Sequence, residues 1–272
     1  MNEPTLEDAG FAATATTILR DEQTHRLAAC LDIDTRVLAN GELPILWHWT
    51  HFLPIVATAE LGLDGHPRRR EELEAFPQRM WVGGRVGIER PLRIGVASER
   101  ASRLVRADRK DGSTGLFWLI TVEHVITQGD GVCVREEQDL VLRARSPVPP
   151  PGKIREDAPI DDWVEEGSAD PVVLFRFSAV TANAHRIHYD RAYAIEVEGY
   201  SDLVVHGPLT ALLLTHFAAR HLQHPVREVS FRAHAPLFAN RRFWLTGHAN
   251  VGGAETLAVR GDHTTAMTLT AS

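Results

Sequence analysis

The sequence has few cysteines, and it has fewer basic than acidic residues. The two cysteines, Cys30 and Cys133, lie far apart in apolar surroundings without a CxxC motif, so we expect buried free thiols rather than a redox or metal site. Acidic residues outnumber basic ones by 36 to 29, and the formal charge of −7 provides no basic field suited to nucleic acid. The sequence therefore predicts a protein of a reducing compartment that does not bind nucleic acid.

Long hydrophobic runs are also missing. No uncharged apolar segment is long enough to cross a bilayer, and the beginning, MNEPTLEDAG, has early acids and no apolar centre for a signal or transit peptide. We therefore expect a cytoplasmic protein that does not interact with membranes. The sequence does have an apolar fraction of 44% over 272 residues, which suffices for one large domain or two moderate ones.

A connector rich in proline and acid, residues 146–170, follows neither hydrophobic period and is predicted to be extended on the surface. It separates an N-terminal unit, residues 1–145, from a C-terminal unit, residues 171–272. Each unit shows helical patterns followed by strand-like alternation. In the first unit the helical patterns are THRLAACLDI and HWTHFLPIVATAELG, and in the second a helix is predicted over residues 208–222.

The predicted helix over residues 208–222 is apolar around most of its circumference, which is typical of a buried helix. Two similar turn segments, beginning at Pro91 and Pro236, occupy equivalent places in the two units and favour a repeated α+β unit. The predicted fold class is therefore α+β, a double hot dog in which each unit wraps an antiparallel sheet around a long helix.

The stretch TANAHRIHYD, residues 181–190, follows an apparent strand, VVLFRFSAV, and places His185 and His188 on one helical face. Two imidazoles on one face suit proton transfer near neutral pH, although satisfied packing histidines fit the pattern equally well. A zinc site that adds His206 is disfavoured, because the glutamate and third-ligand spacing of helix-borne zinc sites are missing.

The dipeptide Gly207-Pro208 is predicted to begin the long helix, with glycine at the cap and proline at the first helical position. The free N–H groups of a first helical turn can stabilise a developing oxyanion, so the N–H of Gly207 is a candidate donor. The alternative is an ordinary capped core helix.

At these residues the sequence resembles a known family. The stretches FSAVTANAHRIHYDRAYA and EGYSDLVVHGPLTALLL resemble the active-site region of MaoC-like enoyl-thioester hydratases and dehydratases. The similarity is greatest to the branch of mitochondrial-type 3-hydroxyacyl-thioester dehydratase and mesaconyl-C4-CoA hydratase. LPILWHWTHFLP, DGHP, RMWVGGR and RPLRIG match the N-terminal hot dog of that branch, so the resemblance covers nearly the whole chain.

The resemblance implies two MaoC-like hot dog units acting on an acyl-CoA thioester. Coenzyme A would enter as part of the substrate, with no other cofactor and no metal. The C-terminal unit would be catalytic, whereas the N-terminal unit, which shows no histidine cluster of its own, would shape the acyl pocket. By analogy, two chains could also pair through sheet edges as a homodimer.

The family pattern Asp-x-Asn-Pro-Ile-His assigns roles residue by residue. His188 falls on the family histidine and Asn183 on its aspartate, while His185 and Arg186 replace the asparagine and the proline. An asparagine can hold a water molecule but cannot take its proton. The resemblance therefore implies that Asn183 orients water, His188 is the main acid and base, His185 assists it, and Gly207 donates to the thioester oxygen.

The remaining candidates concern substrate binding. His206 precedes the oxyanion donor, and Arg85 or Arg186 could hold a free carboxylate on the acyl group, since guanidinium pairs bidentately with carboxylates. Trp47 either lines the acyl tunnel or belongs to the core. Two other functions stay open, namely a thioesterase on the same fold and a hot dog protein that binds acyl thioesters without turnover.

Overall fold

The computed structural model describes residues 11–68, 73–112, 115–145, 151–155 and 157–272. The chain forms two compact units, of which one comprises Met1–Ser146 with Val180–Ala184 and the other Pro147–Ala179 with His185–Ser272. Each contains an antiparallel sheet. Among the described residues, no helix is long and apolar enough to cross a membrane.

The sheet of the N-terminal unit has the strand order β1-β3-β4-β5-β2, with every pair antiparallel. Its strands are β1 (Ala13–Ile18), β2 (Gln78–Ile88), β3 (Ala97–Gly112), β4 (Gly115–Gln128) and β5 (Gly131–Arg143). The alternation of apolar and polar residues predicted β3, β4 and β5, and these predictions are confirmed. Inward-facing Ile120, Val122 and Ile126 of β4 are buried, because alternate side chains of a strand point to one face.

The helical part of this unit is shorter than the sequence predicted. Helix α1 (Asp21–Cys30) overlaps the first helical pattern and confirms it. The second pattern, HWTHFLPIVATAELG, is not a helix, so the expectation of a long helix in this unit is wrong. The segment contains two one-turn 3-10 helices, Trp47–Thr50 and Thr58–Glu60. Pro54 explains this result, since proline lacks the N–H that a helix needs and disfavours helical backbone in the residue before it.

The C-terminal unit has the strand order β7-β10-β9-β8-β6, again fully antiparallel. Its helices are α2 (Pro171–Thr181) and α3 (Gly207–His221), and its strands are β6 (Trp163–Gly167), β7 (Glu228–Ala233), β8 (Phe243–Asn250), β9 (Gly253–Arg260) and β10 (Thr265–Ala271). Helix α3 packs against strands β7 to β10. The predicted long helix is confirmed, and it is wrapped by the sheet as a hot dog unit requires.

Two sequence predictions for this unit are wrong. The stretch VVLFRFSAV is helix α2 rather than a strand, and its buried residues Leu174, Phe177 and Ser178 follow the helical period. A continuous apolar run does not distinguish a buried strand from a buried helix. The predicted connector, residues 146–170, contains an edge strand, β6, whose Trp163 stacks on His221 at 4.4 Å. Residues 146–150 and 156 of the connector lie outside the described residues.

The repeat suggested by the two proline turns is visible in the backbone. In the N-terminal unit the Leu43 N–H donates to the carbonyl of Leu92 at 2.8 Å, and in the C-terminal unit the Val205 N–H donates to the carbonyl of Leu237 at 2.9 Å. In each unit the turn segment therefore pairs with the chain that leads into a helical segment. The second of these pairings fixes the chain just before α3.

Candidate active site

His188 lies on a one-turn 3-10 helix, Arg186–His188, that follows a sharp reversal after α2. Ala182, with φ of 49°, makes that reversal in the left-handed region, which is uncommon for a residue with a side chain. The turn is held because the Val204 N–H donates to the carbonyl of Ile187 at 3.0 Å. Ile187 also belongs to a buried apolar cluster with Tyr193 and Val204. The position of His188 is thus fixed by both packing and backbone hydrogen bonding.

The hydrogen bonding of His188 identifies its tautomer. Its Nδ1 lies 2.7 Å from the carbonyl oxygen of Val204. A carbonyl oxygen only accepts hydrogen bonds, so Nδ1 carries the hydrogen and Nε2 of the neutral ring presents its lone pair. Nε2 forms no hydrogen bond with any residue that the structure describes. This nitrogen can therefore take a proton from a bound reactant.

The imidazole of His206 stacks on that of His188. The two ring centroids lie 3.6 Å apart and the ring planes meet at 18°. His206 is fully buried, with its Nε2 2.9 Å from the hydroxyl of Ser178 and its ring edge-on to Phe177. Its Nδ1 is buried and has no hydrogen-bond partner within the described ranges. The cluster therefore contains an unsatisfied polar atom, which is rare in folded proteins.

His185 completes the cluster from the other side. Its ring centroid lies 5.5 Å from that of His188, and the two ring planes are nearly perpendicular at 89°. Residues three apart eclipse one another on a 3-10 helix, which is why the sequence spacing brings these rings together. The prediction that the two histidines share a face is confirmed. His185 and His188 are 7% and 6% exposed, so the cluster is buried but not sealed.

Burial determines the charge of this cluster. It lowers the pKa of His188 to about 3, and the neighbouring His185 adds to the shift, while the hydrogen bond to Val204 opposes it. Burial also lowers the pKa of His206 well below its usual value, with further contributions from His188 and His185. Both rings are neutral at pH 7. A neutral imidazole is the form that can act as a general base.

The start of α3 lies directly beside these rings. His206 is the N-cap residue, Gly207 is the first helical residue and Pro208 the second, so the predicted cap position was wrong by one residue. The His206 side chain does not cap the helix, and the Gly207 N–H has no acceptor among the described residues. The site thus combines an imidazole with an available N–H group at the positive end of a 15-residue helix.

Two further predicted residues, Asn183 and Arg186, belong to the same stretch of chain as His185 and His188. Asn183 is half-buried in the turn between α2 and the 3-10 helix. Arg186 donates to Asp190 at 2.7 Å and its guanidinium lies 4.3 Å from the centre of the Tyr193 ring. The guanidinium therefore already has a carboxylate partner, and a substrate carboxylate would have to compete with Asp190.

The two candidates from the N-terminal unit, Arg85 and Trp47, have defined surroundings. Arg85 is exposed on β2 and forms ion pairs with Glu137 and Asp139 of the neighbouring strand. Trp47 is fully buried at the start of its 3-10 helix. Its burial favours the core role that the sequence left open. The assignment of Arg85 to a substrate carboxylate stays a prediction.

The expectation that the N-terminal unit has no histidine cluster is wrong. His48 contacts Glu136 at 2.8 Å, and both side chains are almost completely buried. Burial acts to raise the pKa of Glu136, but the charge and hydrogen bond of His48 outweigh it and lower the pKa to about 2. His51 and His124 lie within electrostatic range of His48. Sequence reasoning missed this cluster because Glu136 and His124 come from strands far along the chain from His48 and His51.

Metal-ligand geometry is not found in either cluster. Over the residues that the structure describes, no three His, Cys, Asp or Glu side chains are placed to share a metal ion. The imidazoles of the C-terminal unit stack on and face one another instead of converging on a point.

Comparisons with known proteins identify the family to which the chain is similar. The family model described as hydroxyacyl-thioester dehydratase type 2 matches residues 46–239. The chain is 42% identical over 236 residues to the mesaconyl-C(4)-CoA hydratase of Chloroflexus aurantiacus, covering 85% of this chain and 84% of that protein. The resemblance noted in the sequence is thereby confirmed.

Solved structures confirm the fold. A MaoC-like dehydratase from Phytophthora capsici superposes with a TM-score of 0.72 at 12% identity, covering 100% of this chain and 99% of that one. A Mycobacterium tuberculosis protein described as having a double hotdog fold superposes with a TM-score of 0.55 at 14% identity, covering 98% and 97% of the two chains. The double hot dog fold class is thus confirmed. Because the family model covers most of the chain and a curated relative matches at 42% identity, this chain belongs to the hydroxyacyl-thioester dehydratase type 2 family.

Proposed function

We propose that the chain is a hydro-lyase that adds water to, or removes it from, the α,β double bond of an acyl-CoA thioester. The observation that carries this proposal is the neutral ring of His188, whose Nε2 is available and which stacks on the residue preceding the first N–H groups of α3. The names of the matching family and of its relative from Chloroflexus aurantiacus describe the same reaction class.

In the hydration direction, Asn183 holds a water molecule and His188 accepts a proton from it at Nε2. The water oxygen bonds to the β-carbon, and the electron pair of the double bond moves toward the thioester carbonyl. The Gly207 N–H stabilises the enolate oxygen that forms, and the α-carbon then takes up the proton from His188. His185 assists by positioning the pair. Dehydration is the same sequence in reverse.

In this proposal the rate enhancements from acid–base catalysis and oxyanion stabilisation suffice without a further cofactor. A positioned general acid or base contributes about 10²–10⁴-fold, and an oxyanion donor contributes about 10²–10³-fold. Coenzyme A enters as part of the substrate. No catalytic role is proposed for residues 1–145.

The test of this function is a panel of enoyl-CoA thioesters with short, long and carboxylated acyl groups. We expect loss of the conjugated enoyl absorbance without release of free thiol. Thiol release would instead identify a thioesterase, which is the alternative enzyme on this fold. Measurable binding without either change would identify a protein that only binds acyl thioesters.

The role of the Gly207 N–H as an oxyanion donor can be tested with a substitution that removes this N–H. Gly207→Pro eliminates the N–H at the first helical position, where proline is tolerated, and we expect kcat to fall about 10²–10³-fold. Gly207→Ala retains the N–H and is the matched control, with most of the activity preserved. The measurement is enoyl-CoA hydration together with circular dichroism, and equal rates for the two variants would remove Gly207 from the mechanism.

A further inference from the structure

Arg100 is an unusual residue in the N-terminal unit, because it lies on the inward face of the sheet. Along β3 the inward positions include buried Ser98 and half-buried Arg100 and Ser102, while Glu99 and Ala101 are exposed. The cross-strand neighbour of Arg100 on β4 is Ile126, which is fully buried. A guanidinium on such a face loses hydration, and that loss is costly unless an acid partner compensates for it.

No acid partner forms a hydrogen bond or an ion pair with Arg100 in the part of the chain that the structure describes. Its Nε is buried without any hydrogen-bond partner. The contact that the guanidinium does make is with the ring of Phe52, whose centre lies 5.2 Å from Cζ. Arg103, three residues along on the outward face, donates to Glu123 at 2.6 Å. Arg100 is therefore a partly buried cation whose ion pair is incomplete.

The nearest buried carboxylate, Glu136, is already occupied by other donors. One of its oxygens contacts His48 at 2.8 Å, and the other accepts from Trp49 at 2.6 Å and from Gln138 at 2.7 Å. The charge of Glu136 still acts on Arg100 through space, since it opposes the lowering of the Arg100 pKa that burial causes. Glu136 thus steadies the guanidinium electrostatically and leaves its N–H groups available.

A neutral polar pair borders the same face. His124 Nδ1 lies 2.8 Å from the hydroxyl of Ser102, and the two residues are direct cross-strand neighbours on β3 and β4. Burial lowers the pKa of His124, so this ring is neutral at pH 7. The surroundings of Arg100 consequently contain one engaged carboxylate, one aromatic ring and neutral polar groups.

We propose that Arg100 anchors a carboxylate-binding site in the N-terminal unit, in which a ligand carboxylate completes the ion pair. The planar guanidinium matches a carboxylate in size and hydrogen-bond geometry. The Phe52 ring suits a short apolar body attached to the carboxylate.

A free dicarboxylate carries such a group. Its binding is tested by thermal unfolding of the full chain with fumarate, against sodium chloride of equal ionic strength. We expect fumarate to raise the Tm of the unaltered protein and of the control Arg103→Gln, and to have no effect on Arg100→Met. Arg100→Met should itself be at least as stable as the unaltered protein, because an unpaired buried charge is removed.

The role of Arg100 does not depend on the proposed reaction, because the Tm is measured on the full chain without a thioester. The proposal is overturned if fumarate does not raise the Tm of the unaltered protein more than sodium chloride does. It is overturned equally if Arg100→Met preserves the fumarate effect.

Discussion

Replacing His188 with alanine is expected to lower kcat for enoyl-CoA hydration about 10²–10⁴-fold. The structure gives the reason, because the Val204 carbonyl fixes the ring tautomer and directs the lone pair of Nε2 away from the backbone. The asparagine at position 183 can hold water but has no basic atom to replace this nitrogen. The loss should therefore appear in kcat and in kcat/KM alike.

Folding must be separated from chemistry in this experiment. His188→Ala leaves the Val204 carbonyl without its donor, which costs about 1–3 kcal/mol. His188→Gln can restore that hydrogen bond through its amide while still lacking a base, so it should be stable and equally inactive. Tyr189→Phe, at an exposed neighbouring position, is the control and should retain activity. Rates for both His188 variants within a few-fold of the unaltered protein would rule out His188 as the base.

Mild acid is expected to destabilise the C-terminal unit strongly. Burial lowers the pKa of His188 to about 3, that of His216 to about 4, and that of His206 well below 6.5. The unfolded chain takes up protons near pH 6.5 that the folded chain does not, so stability is lost as pH falls below that value. Each group contributes about 1.4 kcal/mol per pH unit, or about 2 kcal/mol at pH 5.

His188 and His216 together amount to about 4 kcal/mol at pH 5, and His206 acts in the same direction, which is a large part of the whole stability of many domains. Glu136 acts in another range, since its lowered pKa affects stability only below about pH 4.5. The measurement is urea denaturation at pH 7.5 and pH 5. His216→Gln should lose less stability on acidification than the unaltered protein, whereas His234→Gln, at an exposed position, should lose the full amount. Equal stability at both pH values would contradict the neutral, buried state of these rings.

Local sequence patterns predicted one part of the site well. The spacing of His185 and His188 indicated that their rings would meet, because residues three apart share a helical face. The family pattern added Asn183 and the helix start at Gly207-Pro208 added Gly207, and the roles of both residues stay predictions. The stacking of His206 on His188 and its hydrogen bond to Ser178 were not predictable, since they join segments that only the packing of α2 against the start of α3 brings together.

The N-terminal unit shows where sequence reasoning reaches its limit. Strand β3 contains polar residues at both inward and outward positions, so alternation alone did not mark Arg100 as inward-facing. Glu136 looked like one of several acids on β5, yet its cross-strand neighbours place it in the interior. The helix was predicted from the apolar residues around Pro54, although the proline itself disfavours a helix. The environments of Arg100 and Glu136 are set by neighbouring strands, whereas the error at Pro54 is local.

The face-to-face arrangement of residues 188 and 206 has an electrical consequence. At 3.6 Å, a positive charge on one ring opposes a charge on the other, so protonation of either ring disfavours protonation of its neighbour. In the proposed reaction, the hydrogen ion released by water must then be handed on before a second can be received. Breaking of the O–H bond of water and formation of the C–H bond at the α-carbon are therefore linked, because both use the same ring nitrogen.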